Sequence, residues 1–316
     1  MLNEPFSPEL YDLEILLPVH PTGHWLDRLD AFRQFGLLGG EQLRVRLVLL
    51  CGTYPLDVAL HDANAWPGVE SVVVINGTSD QAAAKIYDYY ANVLPTQELR
   101  ARWYLRVDDD SLTDVRRLVS HLDYTFYWRH TLHLAGTLNG DVDPAYQVVL
   151  RDLRADRHLQ GAGHCLAYHE WEASVTSHGA FRRILGNRLA REFLRRVALL
   201  PGGYGDHCLA IAARLTGIPT APVPFLTAHC QLDEFAAFSP SGDGFFHIHY
   251  LSPDNPQMWR RYMEKRRQLG LSVDESVFSI EATAQTQGER PSAKLLAGNS
   301  AFVIESASSR TEKVAA

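Results

Sequence analysis

Apolar residues in the first part of the chain alternate between two periods. Leu13 to Val19 (LEILLPV) is a short apolar run closed by Pro18 and Pro21, and Leu26, Leu29, Phe32 and Phe35 then share one face of a helix over Leu26 to Phe35. Val45 to Cys51 is a second apolar run, followed by Gly52-Thr53. Val69 to Ile75 is a third, β-branched and bounded by Pro67-Gly68 and Asn76-Gly77. Ser79 to Leu94 reads as a helix, with Asp80 near its cap and Pro95 past its end. A fourth strand follows at Trp103 to Val107, and Ser111 to Leu122 begins another helix. Strands that are apolar throughout and separated by helices predict an α/β fold, a mainly parallel twisted sheet flanked by helices.

The pattern is less regular further on. Tyr124 to Tyr127 and Tyr146 to Leu150 are expected to be strands. Between them Asn139 to Pro144 reads as a turn, in which Asp141 and Asp143 serve turn chemistry rather than a metal. Ala173 to Thr176 is an expected strand leading into a helix over Gly179 to Leu185, and Leu189 to Leu199 is the next helix, ending at Pro201-Gly202-Gly203. Asp206 opens a helix reading HCLAIAARL, closed by Gly217-Ile218-Pro219. From about Ser272 the chain turns polar and rich in small residues, which suggests a strand-like or partly disordered tail. The expected organisation is therefore one domain in two halves, 1–122 and 123–270, with a tail over 271–316.

A chain of 316 residues, 46% hydrophobic and 21% charged, can bury a full core. Its net charge of −7, with no dominant Lys/Arg stripe, argues against a nucleic-acid partner. The Arg-rich runs (Arg182-Arg183, Arg188 to Arg196, Arg260 to Arg267) read as solvated helix faces, with an anionic membrane surface or an acidic acceptor as the other reading. Cys51, Cys165, Cys208 and Cys230 form no CxxC pair. Cys51 and Cys208 lie in apolar runs and read as core residues. With no signal-peptide pattern and no window of roughly 18–20 apolar residues, the expected setting is reducing and cytoplasmic, at most on the inner face of a membrane.

Chemistry concentrates in three places. Asp108-Asp109-Asp110 follows directly on the Trp103 strand, and in open α/β sheets ligands bind outside the carboxyl ends of strands. Crowded carboxylates repel unless something positive lies between them, and a hard divalent cation is the usual answer. The plainer reading is a polar loop with Asp110 capping the next helix. The second place is Gly202-Gly203-Tyr204-Gly205-Asp206-His207, a glycine-rich turn that delivers an acid to a helix N-terminus. The third is Phe245-Phe246-His247-Ile248-His249-Tyr250. No GxGxxG follows the first strand and no GxxxxGK[ST] occurs, so dinucleotide and P-loop readings lack their signature.

In this order the three features resemble glycosyltransferases of the GT-A fold, most nearly the Fringe-like branch, in which a DDD triplet takes the part of the DxD motif. The resemblance runs from about Leu13 to Leu251 and includes Ala83-Ala84-Lys85-Ile86-Tyr87, which looks like the family's lysine-bearing helix. It implies a nucleotide-sugar-binding half before about residue 122, an acceptor and catalytic half after it, and Mn²⁺ or Mg²⁺ as cofactor. The donor implied is a nucleotide sugar, for preference a UDP-sugar, and the acceptor a carbohydrate or glycolipid. Asp110 would ligate the metal directly, and Asp108 would contact the ribose or the metal's water shell. Asp109 would orient neighbouring groups or the sugar. Of His247 and His249, expected on opposite sides of an extended segment, one would complete the metal shell, His249 for preference.

An inverting transfer needs a base for the acceptor hydroxyl. The resemblance gives that part to Asp206, whose plainer role is a helix cap, with His207 as the other candidate. The nucleotide base would lie near Pro18, Val19 and His20, with Thr53 and Asn76 on the same rim. Lys85 would reach a phosphate or else be a surface lysine. His158, His164, His169 and His178, with Glu170 and Glu172, match no compact metal spacing, and Gly161 to Trp171 reads as an acceptor-side loop. Three alternatives stay open: a retaining transferase on the same fold, a sugar-phosphate nucleotidyltransferase, and a non-catalytic carbohydrate-binding protein.

Overall fold

β1 (Tyr11–Pro18) is the first described element of the chain and lies in the middle of its sheet. The computed structural model describes residues 10–19, 28–30, 32–53, 62–77, 84–86, 89, 99–135, 144–155, 173–200, 208–218 and 264. For 34, 35, 38, 135, 220–222, 227–229, 247–249 and 303–307 it describes the backbone alone. β1 pairs in parallel with β3 (Val45–Cys51) on one side and β5 (Ala101–Val107) on the other. β4 (Ser71–Asn76) lies parallel outside β3, and β12 (Val303–Ala307) runs antiparallel along β4. On the other flank β8 (Ala173–Ser177) is antiparallel to β5, followed by β7 (His133–Ala135) and β9 (Thr220–Pro222). The result among the described residues is an eight-stranded mixed sheet with a parallel centre.

A smaller sheet joins β2 (Leu37–Leu38), β6 (Leu112–Asp114), β11 (His247–His249) and β10 (Thr227–His229). β5 and β6 are consecutive, so the chain leaves one sheet and enters the other within the four residues that hold the triple Asp.

Helices cover both faces of the main sheet. On one face Leu16, Val48, Val73 and Tyr104 pack with residues of α2 (Pro144–Asp152), α3 (His178–Gly186), α4 (Arg188–Val197) and α5 (Cys208–Leu215), among them Tyr146, Phe181, Phe193 and Ile211. On the other face Ile15, Leu47, Val72 and Trp103 meet Leu29, Phe32, Trp66 and the buried stripe Val115, Leu118, Val119, Leu122 of α1 (Val115–Thr125). Side chains cap three of these helices: Asp114 accepts from the Arg117 amide, Ser177 from that of Ala180 and Asn187 from that of Ala190. α5 ends at Gly217, whose φ of 75° only glycine adopts at little cost, with the Ile218 amide bonded back to the Ala213 carbonyl.

The four central strands, the strand at Ala173 and helices α3, α4 and α5 fall where the hydrophobic pattern puts them. Three expectations are corrected. The helix expected from Ser111 begins at Val115, because Leu112–Asp114 pairs as a strand with β11 and β2. Its cap is Asp114, not Asp110. Tyr124 to Tyr127, expected as a strand, is the end of α1 and the loop after it. The aromatic run suggested a sheet, yet Tyr124 is exposed. Tyr146 to Leu150 is helix: Tyr146, Val149 and Leu150 are the buried positions, which is helical spacing. The Asn139 to Asp143 turn and the Gly161 to Trp171 loop lie outside the described residues.

Charges also enter the core. Glu14 of β1 and Arg46 of β3 are register partners, both fully buried, joined by an ion pair of 2.7 Å. Tyr89 donates its hydroxyl to the other Glu14 oxygen, and Tyr104 is Glu14's register partner on β5. Burial, and after it the charge of Glu14, pushes both tyrosine hydroxyls well above their ordinary range, so they remain donors. Removing one partner of such a pair leaves an uncompensated buried charge. Arg46→Met is therefore expected to lower the unfolding free energy by about 3–5 kcal/mol, and the double variant Glu14→Leu/Arg46→Met to regain at least half of it, as read by urea denaturation.

His178 gives a pH signature. Its Nδ1 lies 3.0 Å from the Ala101 carbonyl and its ring packs edge-on against Trp128. Burial lowers its pKa, against the pull of that carbonyl and with Arg182 and Arg129 adding to the lowering. Below about 6.5 the unfolded chain thus binds a proton that the fold resists. The melting temperature is expected to fall between pH 7 and pH 5, and less steeply in His178→Gln.

Candidate functional site

The order β4-β3-β1-β5 reverses direction across β1: the chain steps outward to β3 and β4, then returns to the other side of β1 as β5. The carboxyl ends of β1 and β5 flank that switch point, where open α/β sheets bind ligands. Cys51 and Asn76 end β3 and β4 at this edge, Val19 directly follows β1, and the triple Asp directly follows β5.

Asp108, Asp109 and Asp110 form a turn pinned from several sides. Ser111 Oγ donates to the Asp108 carbonyl at 2.5 Å. Arg106, buried in β5, reaches Asp108 Oδ1 at 3.0 Å. One nitrogen of the Arg28 guanidinium lies 2.8 Å from both Asp109 Oδ1 and Asp110 Oδ2. Asp109 is 7% exposed, and its Oδ2 is buried with no hydrogen-bond partner among the described residues. Burial pushes the Asp109 carboxyl up to about 7. The charges of Asp110 and Asp108 add to the push, while Arg28 opposes it.

β11 lies alongside this turn. Its antiparallel register sets Ile248 against Leu112 and His247 against Thr113, so His249 is on the Asp110 side of Ile248 and His247 is farther along. The expectation that the two histidines point to opposite sides is corrected by the strand itself, since positions i and i+2 share a face. Register, not alternation, separates them. His229 of β10 is the register partner of His249. Sequence reasoning passed it over, because only the pairing of two short strands brings it there.

Lys85 is not a surface lysine. It is 1% exposed, and its Nζ donates to the Val19 carbonyl at 2.8 Å, while the Val19 amide donates to Leu50. The lysine thus fastens the end of β1 at the proposed nucleotide rim. Its charge also opposes the upward push that burial gives the Cys51 thiol. Asn76, half-buried, holds Oδ1 without a hydrogen-bond partner among the described residues, Pro18 is half-buried, and Thr53 is exposed. His20, Asp206 and His207 lie outside the described residues, as do His158, His164 and His169. His178 is taken up by Ala101 and Trp128 on the fold.

The acidic turn offers oxygen donors, the kind a hard divalent cation takes, and one of them is a buried carboxylate oxygen with no hydrogen bond among the described residues. The residues fit such an ion. Among the described residues no three His, Cys, Asp or Glu side chains already stand grouped as a metal site, and here the positive group between the carboxylates is Arg28.

No protein-family model and no curated protein matches the chain. Among solved structures it is similar to the galactosyltransferase LgtC in complex with donor and acceptor sugar analogues, at 13% identity over 84% of this chain and 99% of that one, with a TM-score of 0.43. The bifunctional glycosyltransferase WbbM gives 11% identity over 82% and 53%, with a TM-score of 0.43. Mouse xyloside xylosyltransferase 1 gives 10% over 75% and 97%, with the same score. Identities and scores of this size carry neither activity nor substrate to this chain.

Replacing Lys85 by Met keeps the volume and removes the donor to a buried carbonyl. Lys85→Met is expected to cost about 1–3 kcal/mol of unfolding free energy. Chemical denaturation checks it, and a loss below about 0.5 kcal/mol, the usual size of surface changes, would mean that the bond to Val19 contributes little.

Proposed function

We propose that this chain is a metal-dependent glycosyltransferase of the GT-A type, moving a sugar from a nucleotide donor, UDP for preference, to a carbohydrate hydroxyl. One observation carries the reading: a buried acidic turn ends β5 at the topological switch point, and the His247–His249 strand is paired beside it. Asp108 and Asp110, with His249, would hold a divalent cation that neutralises charge on the departing diphosphate as a Lewis acid.

The chain's own residues do the rest. Asp109, held by Arg28, orients the turn and faces the sugar. Lys85 keeps the end of β1 in place, where the backbone of Pro18 and Val19, with His20 next in sequence, would meet the nucleotide base. Asn76 and Thr53 line the rim. In the transfer the acceptor oxygen attacks the anomeric carbon, the bond from that carbon to the diphosphate oxygen breaks, and its electron pair leaves with the diphosphate. Asp206, two residues before α5 in sequence, accepts the hydroxyl proton, with His207 next to it. Asp206 as base makes the transfer inverting.

Among the described residues no helix is long and apolar enough to cross a membrane.

Calorimetric titration with UDP, GDP and UDP-sugars, with Mn²⁺ and then with a chelator, tests the reading. Metal-dependent UDP binding is expected in the wild type and its loss, at least 100-fold, in Asp110→Asn. Asp206→Asn is expected to retain donor binding while turnover with a matched acceptor falls at least 1000-fold, roughly the scale of general-base loss. Absence of nucleotide binding under every condition would reduce the acidic turn to a structural element.

A further inference from the structure

The acidic turn carries a cation of its own. Arg28 lies far upstream, next to Leu29, which is buried in the core, and its side chain is only 12% exposed. It bridges Asp109 and Asp110 through one nitrogen, 2.8 Å from each. Asp110 is the carboxylate to which the proposed function gives direct contact with the metal. The guanidinium and a divalent cation therefore draw on the same carboxylate.

We propose that Arg28 is the resident counter-ion of the donor site. In the metal-free protein it holds the acidic turn together, and it yields Asp110 when a divalent cation enters with the donor's diphosphate. This rests on the metal-dependent reading of the same turn. Without a positive group, three adjacent carboxylates, two of them buried, would repel one another and shed their charge by taking up protons. An arginine meets that need permanently, because its guanidinium stays charged at any working pH, and its fork suits carboxylates and phosphates alike.

The same permanence sets it against a metal. A divalent ion at Asp110 faces a like charge at contact distance, and that repulsion is strong in a buried site. A diphosphate removes the conflict, since its oxygens can take up both cations. The metal alone then binds weakly, and metal and nucleotide each strengthen the other by the same factor.

Mn²⁺ binding, read by the electron-paramagnetic-resonance signal of the free ion, tests this on the full chain with and without UDP. Without nucleotide, Arg28→Gln is expected to bind Mn²⁺ at least tenfold more tightly than wild type, about 1.4 kcal/mol, and UDP should then improve its affinity less than it improves the wild type's. Arg28→Lys, which keeps the charge but loses the fork, should fall between the two. An unchanged or weaker Mn²⁺ affinity in Arg28→Gln, with Asp110→Asn losing the ion, would overturn the counter-ion role and leave the metal site standing. Absence of Mn²⁺ binding in every protein, with or without UDP, would overturn both. If Arg28→Gln is poorly stable, its melting temperature becomes the readout. Mn²⁺ should raise it by more than it raises the wild type's, and an equal or smaller rise would overturn the proposal.

Discussion

The ion pair between Glu14 and Arg46 is the constraint on which the central sheet turns. Both residues lie at matched positions of adjacent parallel strands with no access to water. A buried pair of this kind contributes little net stability compared with apolar residues of the same volume, because desolvation offsets the attraction. Its effect is on register. A slip of β1 by one residue along β3 would separate the pair and bury each charge alone, a penalty of several kcal/mol that Val and Leu neighbours, being interchangeable, cannot impose. Tyr89 extends the same constraint to the chain segment packed over β1.

Fixing that register also fixes the far end of the sheet. Just past β1, Val19 is held by Leu50 through its amide and by Lys85 through its carbonyl, and Asp108 directly follows β5. At the other end, Arg102 bridges Asp12 and Asp123 while Trp103 donates to Asp123, which ties the starts of β1 and β5 to the end of α1. The acidic turn is thus positioned from both ends of its strand. Arg106 and Arg28 supply positive charge where the carboxylates gather, so the local field is set by the protein itself.

What could be read in the sequence follows from how local each signal is. β1, β3, β4 and β5 are mainly apolar runs between turn residues, and both their strand character and their burial were legible, although the pairing of Glu14 with Arg46 inside them was not. Tyr146 to Leu150 was not, because a five-residue stretch with four apolar positions fits a strand or a helix face equally. Leu112–Asp114 is too short to show a period, and only its pairing with distant strands makes it a strand. The triple Asp was legible as a site candidate because its charge density is local. Arg28 was not: it sits in a stretch, HWLDRLD, that reads as an ordinary helix face, and only the fold brings it to Asp109. Lys85 was noticed for its place in a motif, yet its burial against Val19 depends on contacts between segments far apart in the chain.

Because β5 belongs to the large sheet and β6 to the small one, residues 108–111 are a seam stitched on both sides. A loop hung from one strand would have to surrender its freedom each time a ligand arrived, and that entropy would be subtracted from every binding event. Here the loss is taken once, when the two sheets form. The carboxylates are held in one arrangement beforehand, so for the proposed cation and donor the discrimination left is one of charge and shape rather than of ordering the chain.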